Sequence, residues 1–156
     1  MAWLGFALMS VFTWGVYGLL LHTGTMSMAD PANGRYKAFL FVGLAYVLVA
    51  VIGPLIVLKL HGVALGNLPA KGITWSTVAG VAGAVGAFGV LLAFSAKGSP
   101  AVVMSIVFAG APVVNAIGAM IVHPPSGGIG SLDWRFLVGI GMAAAGGCLV
   151  TLFRPG

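Results

Sequence analysis

Charge is what this chain has least of. Two acidic residues, Asp30 and Asp133, and seven basic ones, Arg35, Lys37, Lys59, Lys71, Lys97, Arg135 and Arg154, amount to 6% of 156 positions. A soluble domain carries about a quarter. All of these charges lie between, or at the ends of, five apolar runs at 2–21, 38–58, 73–96, 100–122 and 136–153. With no carboxylate inside a run, a proton-coupled mechanism resting on an intramembrane Asp or Glu has no residue to carry it. The basic residues are scattered singly rather than gathered into a stripe, which excludes nucleic acid as a partner. The single cysteine, Cys148, falls inside the fifth run, so no disulfide forms within the chain and the thiol reads as packing. His22, His61 and His123 end three different runs, which excludes a histidine metal site. No nucleophile–base–acid arrangement is visible, so the chain reads as a non-enzyme with no catalytic residue, metal or cofactor. Gly139-x-Gly141-x-x-Ala144 matches a dinucleotide fingerprint only as text, because no strand precedes it.

What is present is apolar length. Hydrophobic residues make up 60% of the chain and the mean hydropathy is +1.14. A helix rises about 1.5 Å per residue, so roughly 20 residues cross a hydrocarbon core about 30 Å thick. One Lys, Arg or Asp at the centre of such a span costs roughly 2.5–3.5 kcal/mol, whereas a Leu or Phe returns only about 0.3–0.6. Exclusion of charge from all five runs therefore identifies the solvent as lipid. The spacing predicts an all-α integral membrane protein: an up-and-down bundle of five transmembrane helices near 2–21, 38–58, 73–96, 100–122 and 134–153, forming one membrane domain over 1–156. The longest gap, 22–37, has only 16 residues and leaves no room for a soluble domain. The first run lacks a basic start and is long for a signal peptide, so it reads as a retained helix.

The gaps carry turn chemistry. Asp30-Pro31-Ala32-Asn33-Gly34 is a turn and helix start, and 61–72 contains Asn67, Pro69 and two glycines before Lys71-Gly72. Ser99 before Pro100 suits a helix cap, and Ser131 is placed to cap the fifth helix with Asp133 near its positive end. Five helices put the termini on opposite faces. Lys59, Lys71 and Arg135 then fall on the N-terminal side, and Arg35, Lys37, Lys97 and Arg154 on the other. That near balance fits insertion both ways round, and equally a chain oriented by partners or by a weak preference.

Small residues recur at helical intervals: Gly80, Gly83 and Gly86 (continuing to Gly89) in the third helix, and Gly139, Ala143 and Gly147 in the fifth. Such spacing lets backbones approach closely, in static packing or in a moving interface. Polar residues also line up. Ser10, Trp14 and Tyr17 share a face of the first helix, flanked by Thr13, and Ser105, Pro112 and Asn115 lie near one face of the fourth. Tyr46 sits mid-span in the second helix, where Pro54 weakens the last turns. Pro112 removes a backbone donor and permits a kink. These groups either bond neighbouring helices or line a cavity for a polar ligand.

The order of features resembles the drug/metabolite transporter superfamily, specifically one EamA-type five-helix unit. The resemblance rests on Ala93-Phe94-Ser95-Ala96-Lys97-Gly98-Ser99-Pro100-Ala101, a helix end, short turn and small-residue restart. It rests also on Ala111-Pro112-Val113-Val114-Asn115, and on Trp134-Arg135 followed by a glycine-rich last helix. Weaker matches are Trp14-Gly15 and Arg35. Two departures stand out: the family mostly joins two inverted units where this chain has one, and Val122-His123-Pro124-Pro125 replaces a common Gly-Glu pair. The resemblance implies a half-size transporter in the bacterial cytoplasmic (inner) membrane. Such a unit pairs with an inverted copy of itself or with another protein, its substrate site near the midplane. Combined with the polar faces, it gives Trp14 and Tyr17 the role of substrate contacts, Ser10, Ser105 and Asn115 that of polar specificity, and Pro112 that of a hinge. The competing reading is a non-transporting structural subunit of a larger membrane complex.

Overall fold

A computed structural model of the chain describes residues 2–66 and 68–153. Asn67 and Arg154, assigned above to a loop and to the topology-setting cations, lie outside the described residues. Among these residues there are five long helices and no strand: α1 (Ala2–Ser27), α2 (Gly34–Leu60), α3 (Ala70–Ser95), α4 (Pro100–Val122) and α5 (Trp134–Leu152). All five are long and apolar enough to cross a membrane. Their sides are apolar all round. Phe12, Leu40 and Val49 are each more than 70% exposed within the chain, an apolar surface of the kind that membrane-spanning helices present.

The chain forms two units, Met1–Lys97 and Gly98–Gly156. In the first, α1, α2 and α3 pack on one another and run in alternating directions. His22, near the end of α1, meets Phe94, near the end of α3, edge to face at 5.6 Å, so these two helices are parallel. Phe39, early in α2, lies 5.4 Å from Phe88, late in α3, and Tyr36 stacks on the same ring at 6.5 Å. Each such pair contributes about 0.5–1.5 kcal/mol beyond area burial. Leu21, Ala38, Ala87, Val90, Leu91 and Phe94 are buried and concentrate at this one end, where α1 stops, α2 starts and α3 stops. The opposite ends, carrying Trp3, Leu60 and Trp75, are exposed.

Local chemistry explains the boundaries. α1 runs six residues beyond the apolar stretch because Thr23, Thr25 and Ser27 donate their hydroxyl protons to the carbonyls of Leu19, Leu21 and Thr23 at 2.8–2.9 Å. Polar residues thereby stay inside the helical turn without exposing unpaired donors. Ala29 then takes a left-handed conformation (φ 51°) and ends the run. Asp30 restarts it: one carboxylate oxygen accepts from the Ala32 and Asn33 amides at 3.1 and 2.9 Å. The other oxygen accepts from Lys37 Nζ at 2.6 Å. These bonds, the lysine first, hold the Asp30 carboxyl below the usual carboxylate range. The turn closes tightly on Gly34, where a Cβ would lie 3.1 Å from Met28 Cβ and 3.2 Å from the Thr25 carbonyl.

Pro54 does not break α2. The helix widens into a π turn at Leu48–Ile52, in which the Gly53 amide reaches back five residues to the Leu48 carbonyl, and then continues to Leu60. The widened turn accommodates a proline that has no amide proton for the residue four back. Two residues past the end of α3, Lys97 is left-handed at φ 68°.

In the second unit, α4 and α5 are antiparallel neighbours. Gly147, late in α5, is buried against Ala109, early in α4, so closely that an added Cβ would overlap the Ala109 methyl. Ser99 has the extended backbone of a cap, but its hydroxyl makes no cap bond; Pro100 follows at the first helical position. α5 is capped by Asp133, whose side chain accepts from the Arg135 amide at 2.8 Å. Ser131, expected to fill that role, sits three positions before Trp134 in a short 3-10 turn (Ile129–Ser131), and its hydroxyl bonds the Gly128 carbonyl instead.

Candidate functional site: a groove between the first two helices

A groove of about 600 Å³ runs between α1 and α2. Residues at helical spacing, Thr13, Trp14, Tyr17, Leu21 and Gly24, form one wall, and Ala38, Phe41, Ala45 and Tyr46 the other. The rings hold the helices apart, while Gly24 and Ala45 leave the space between rings unfilled. Trp14 and Tyr17 meet at 5.4 Å with their planes tilted by 53°. Trp14 is 36% exposed and Tyr46 45%, so the groove opens sideways rather than closing into a cavity.

One polar atom in the groove stands out. The Tyr17 hydroxyl is buried and has no hydrogen-bond partner among the described residues. A buried hydroxyl left unmade costs about 1–3 kcal/mol, so its position favours a ligand that brings an acceptor or donor. The Thr13 hydroxyl is already spent on the Met9 carbonyl at 2.9 Å. The groove thus combines flat apolar faces for stacking with a buried, unsatisfied hydroxyl for orientation.

The residues singled out from the sequence are distributed unevenly. Trp14 and Tyr17 line the groove. Ser10 is exposed outside it, its hydroxyl donating to the Phe6 carbonyl at 3.1 Å. Ser105 and Asn115 belong to the second unit: Ser105 is half-buried and donates to the Ala101 carbonyl at 2.7 Å, and Asn115 is exposed on α4. Pro112 lies in a helix that continues through it to Val122. Among the small residues, Gly147 makes the close approach just described and Ala143 is half-buried, whereas Gly80, Gly83, Gly86 and Gly139 face open space. Tyr46, noted only as a mid-span polar residue, proves to face Trp14 and Tyr17 across the groove. Its position three residues after Gly43 in a run otherwise lacking polar side chains was the available signal. Phe41 and Gly24 carried none.

A second cavity, of about 430 Å³, lies at the packed end of the same unit and includes His22, Thr25, Asp30, Arg35 and Ser95. No family model matches the chain, and neither a curated protein nor a solved structure matches it.

Proposed function

We propose that this chain is a multi-pass membrane protein that binds a small polar or amphipathic molecule in the α1–α2 groove and, paired with a second unit, moves it across the bilayer. The observation that carries this reading is the unsatisfied Tyr17 hydroxyl between Trp14 and Tyr46. Lipid tails satisfy the rings of such a groove but not the hydroxyl. A flat or elongated molecule with one polar end satisfies both. The resemblance to a half-size EamA-type unit supports pairing with an inverted copy or another chain, and in such a pair the substrate site would lie near the midplane.

The test is reconstitution into liposomes, with flux and Trp fluorescence quenching measured for a panel of amphipathic amines, amides and nucleosides. Saturable quenching that is lost in Trp14→Ala and weakened about five-fold in Tyr17→Phe supports the reading. A panel that produces neither quenching nor flux contradicts it.

The exposed glycines favour a second reading, a structural subunit of a larger membrane complex. Gly80, Gly83 and Gly86 present a backbone-close face with nothing against it among the described residues, a surface suited to another helix. Extraction in a mild detergent separates the two: a particle of two copies fits transport, and comigration with a large assembly fits the accessory role.

A further inference from the structure

The second cavity, at the packed end of the first unit, has an unusual electrostatic content. It sits where α1 ends at Ser27, α2 begins at Gly34 and α3 ends at Ser95, the level at which apolar helix gives way to polar turn. Arg35 lines it, and the guanidinium Nε is buried with no hydrogen-bond partner among the described residues. The same guanidinium lies 4.8 Å from the centre of the Tyr36 ring, which supports its flat face and leaves its edge to bond. A buried charged donor without an acceptor is among the more costly arrangements a fold can keep.

The neighbours in the cavity do not relieve it. Thr25 and Ser95 spend their hydroxyl protons on the carbonyls of Leu21 and Leu91, at 2.9 and 3.0 Å. Asp30 is the one carboxylate present, and both its oxygens are engaged, one by the Ala32 and Asn33 amides and the other by Lys37. The Asp30–Lys37 pair is neutral as a whole, so Arg35 leaves the cavity with a net positive charge. His22 is held by its edge-on contact with Phe94.

We propose that this cavity binds a phosphate group, with the Arg35 edge as its principal contact and His22 as a second donor. The fork of an arginine matches two phosphate oxygens, and the planar support behind it fixes the direction of approach. The phosphate is carried either on a lipid headgroup, for which the depth at the helix ends is right, or by a free anion from the aqueous side. The site is independent of the α1–α2 groove and does not require transport.

The experiment uses the full chain in detergent. Native mass spectrometry measures retention of added phosphatidylglycerol, and thermal unfolding is followed with inorganic phosphate against chloride at matched ionic strength. Wild type, Arg35→Gln, Arg35→Lys and Lys59→Gln are compared. The lysine variant keeps the charge and loses the fork, so it decides the question if the glutamine variant does not fold. Arg35 variants are expected to hold the phosphate-bearing probe about ten- to a hundred-fold more weakly, with Lys59→Gln like wild type. Arg35-dependent retention of phosphatidylglycerol alone assigns a lipid headgroup, and Arg35-dependent stabilisation by inorganic phosphate assigns a free anion. Equal retention and equal stabilisation across wild type, Arg35→Lys and Lys59→Gln would overturn the proposal.

Discussion

The two units are built from helices of similar hydropathy and yet treat their seams in opposite ways. Between α4 and α5 the facing residues are small, Ala109 against Gly147, and the backbones touch. Between α1 and α2 they are large, with Trp14, Tyr17, Phe41 and Tyr46 alternating with Gly24 and Ala45, and a groove of about 600 Å³ remains. Hydrophobicity does not distinguish these seams, because a side chain surrounded by lipid gains little by moving against another apolar side chain. Size does. Where residues are small throughout, packing closes the gap; where large and small residues alternate, the large ones prop the helices apart. A pocket in a lipid-embedded protein is thus specified by steric irregularity along one helix pair, with a polar atom left within it.

Each seam can be driven toward the other. Gly147→Leu is expected to have the largest effect, wedging α4 from α5 and lowering stability by about 3 kcal/mol or more, with Gly147→Ala in the range of about 1–3. Thermal or denaturant unfolding in detergent measures both. Leu91, fully buried in the packed end of the first unit, comes next. Leu91→Ala is expected to cost about 2 kcal/mol, the low end of the range for water-soluble cores, since the transfer part of that range has no counterpart in lipid. Tyr17→Phe sharpens the comparison most selectively. Removing a hydroxyl that has no partner should raise the stability of the unliganded protein by up to about 1 kcal/mol while weakening ligand binding. A variant that loses both would mean the hydroxyl bonds something in the resting state. Ala29→Gly and Lys97→Gly, at left-handed turns that end α1 and α3, are each expected to stabilise by about 0.5–1 kcal/mol.

The smallest effect is that of pH. The Asp30 carboxyl is held below its usual range by Lys37 and two amides, so the folded state binds its proton less readily than the unfolded one. That contribution is fully present above the unfolded value near 4 and is lost as pH falls through the lower, folded value. Unfolding scans from about pH 6 down to 3 should show a decline in wild type that Asp30→Asn flattens.

Much of this was legible in the amino-acid order, and the physical reasons mark where legibility stopped. The existence and type of all five helices followed from charge exclusion, a signal of some 20 residues each. Their ends were less accessible, because Thr23, Thr25 and Ser27 look like loop residues until their hydroxyls turn back onto α1. Pro54 reads as a helix breaker, but one widened turn at Leu48–Ile52 absorbs it. The aromatic face of α1 was visible from spacing alone, whereas its opposite wall depended on which residues of α2 the Asp30–Lys37 turn brings across. Arg35 reads as a scattered cation and His22 as a helix-end residue, and only the fold places them in one cavity. Glycine spacing marked candidate seams without telling Gly147, which packs, from Gly80, Gly83 and Gly86, which do not.

Water in the groove is the property on which the account turns, since a groove for a polar ligand must admit it and a lipid-filled one must not. In a Cys148→Ser background reconstituted into liposomes, single cysteines at the groove wall (Ala45→Cys) and at the closed seam (Ala109→Cys) can be labelled with a small membrane-permeant maleimide. Thiolate, the reactive species, forms only where water reaches. The account predicts rapid labelling at position 45 and little at position 109. Equally slow labelling at both positions would contradict it.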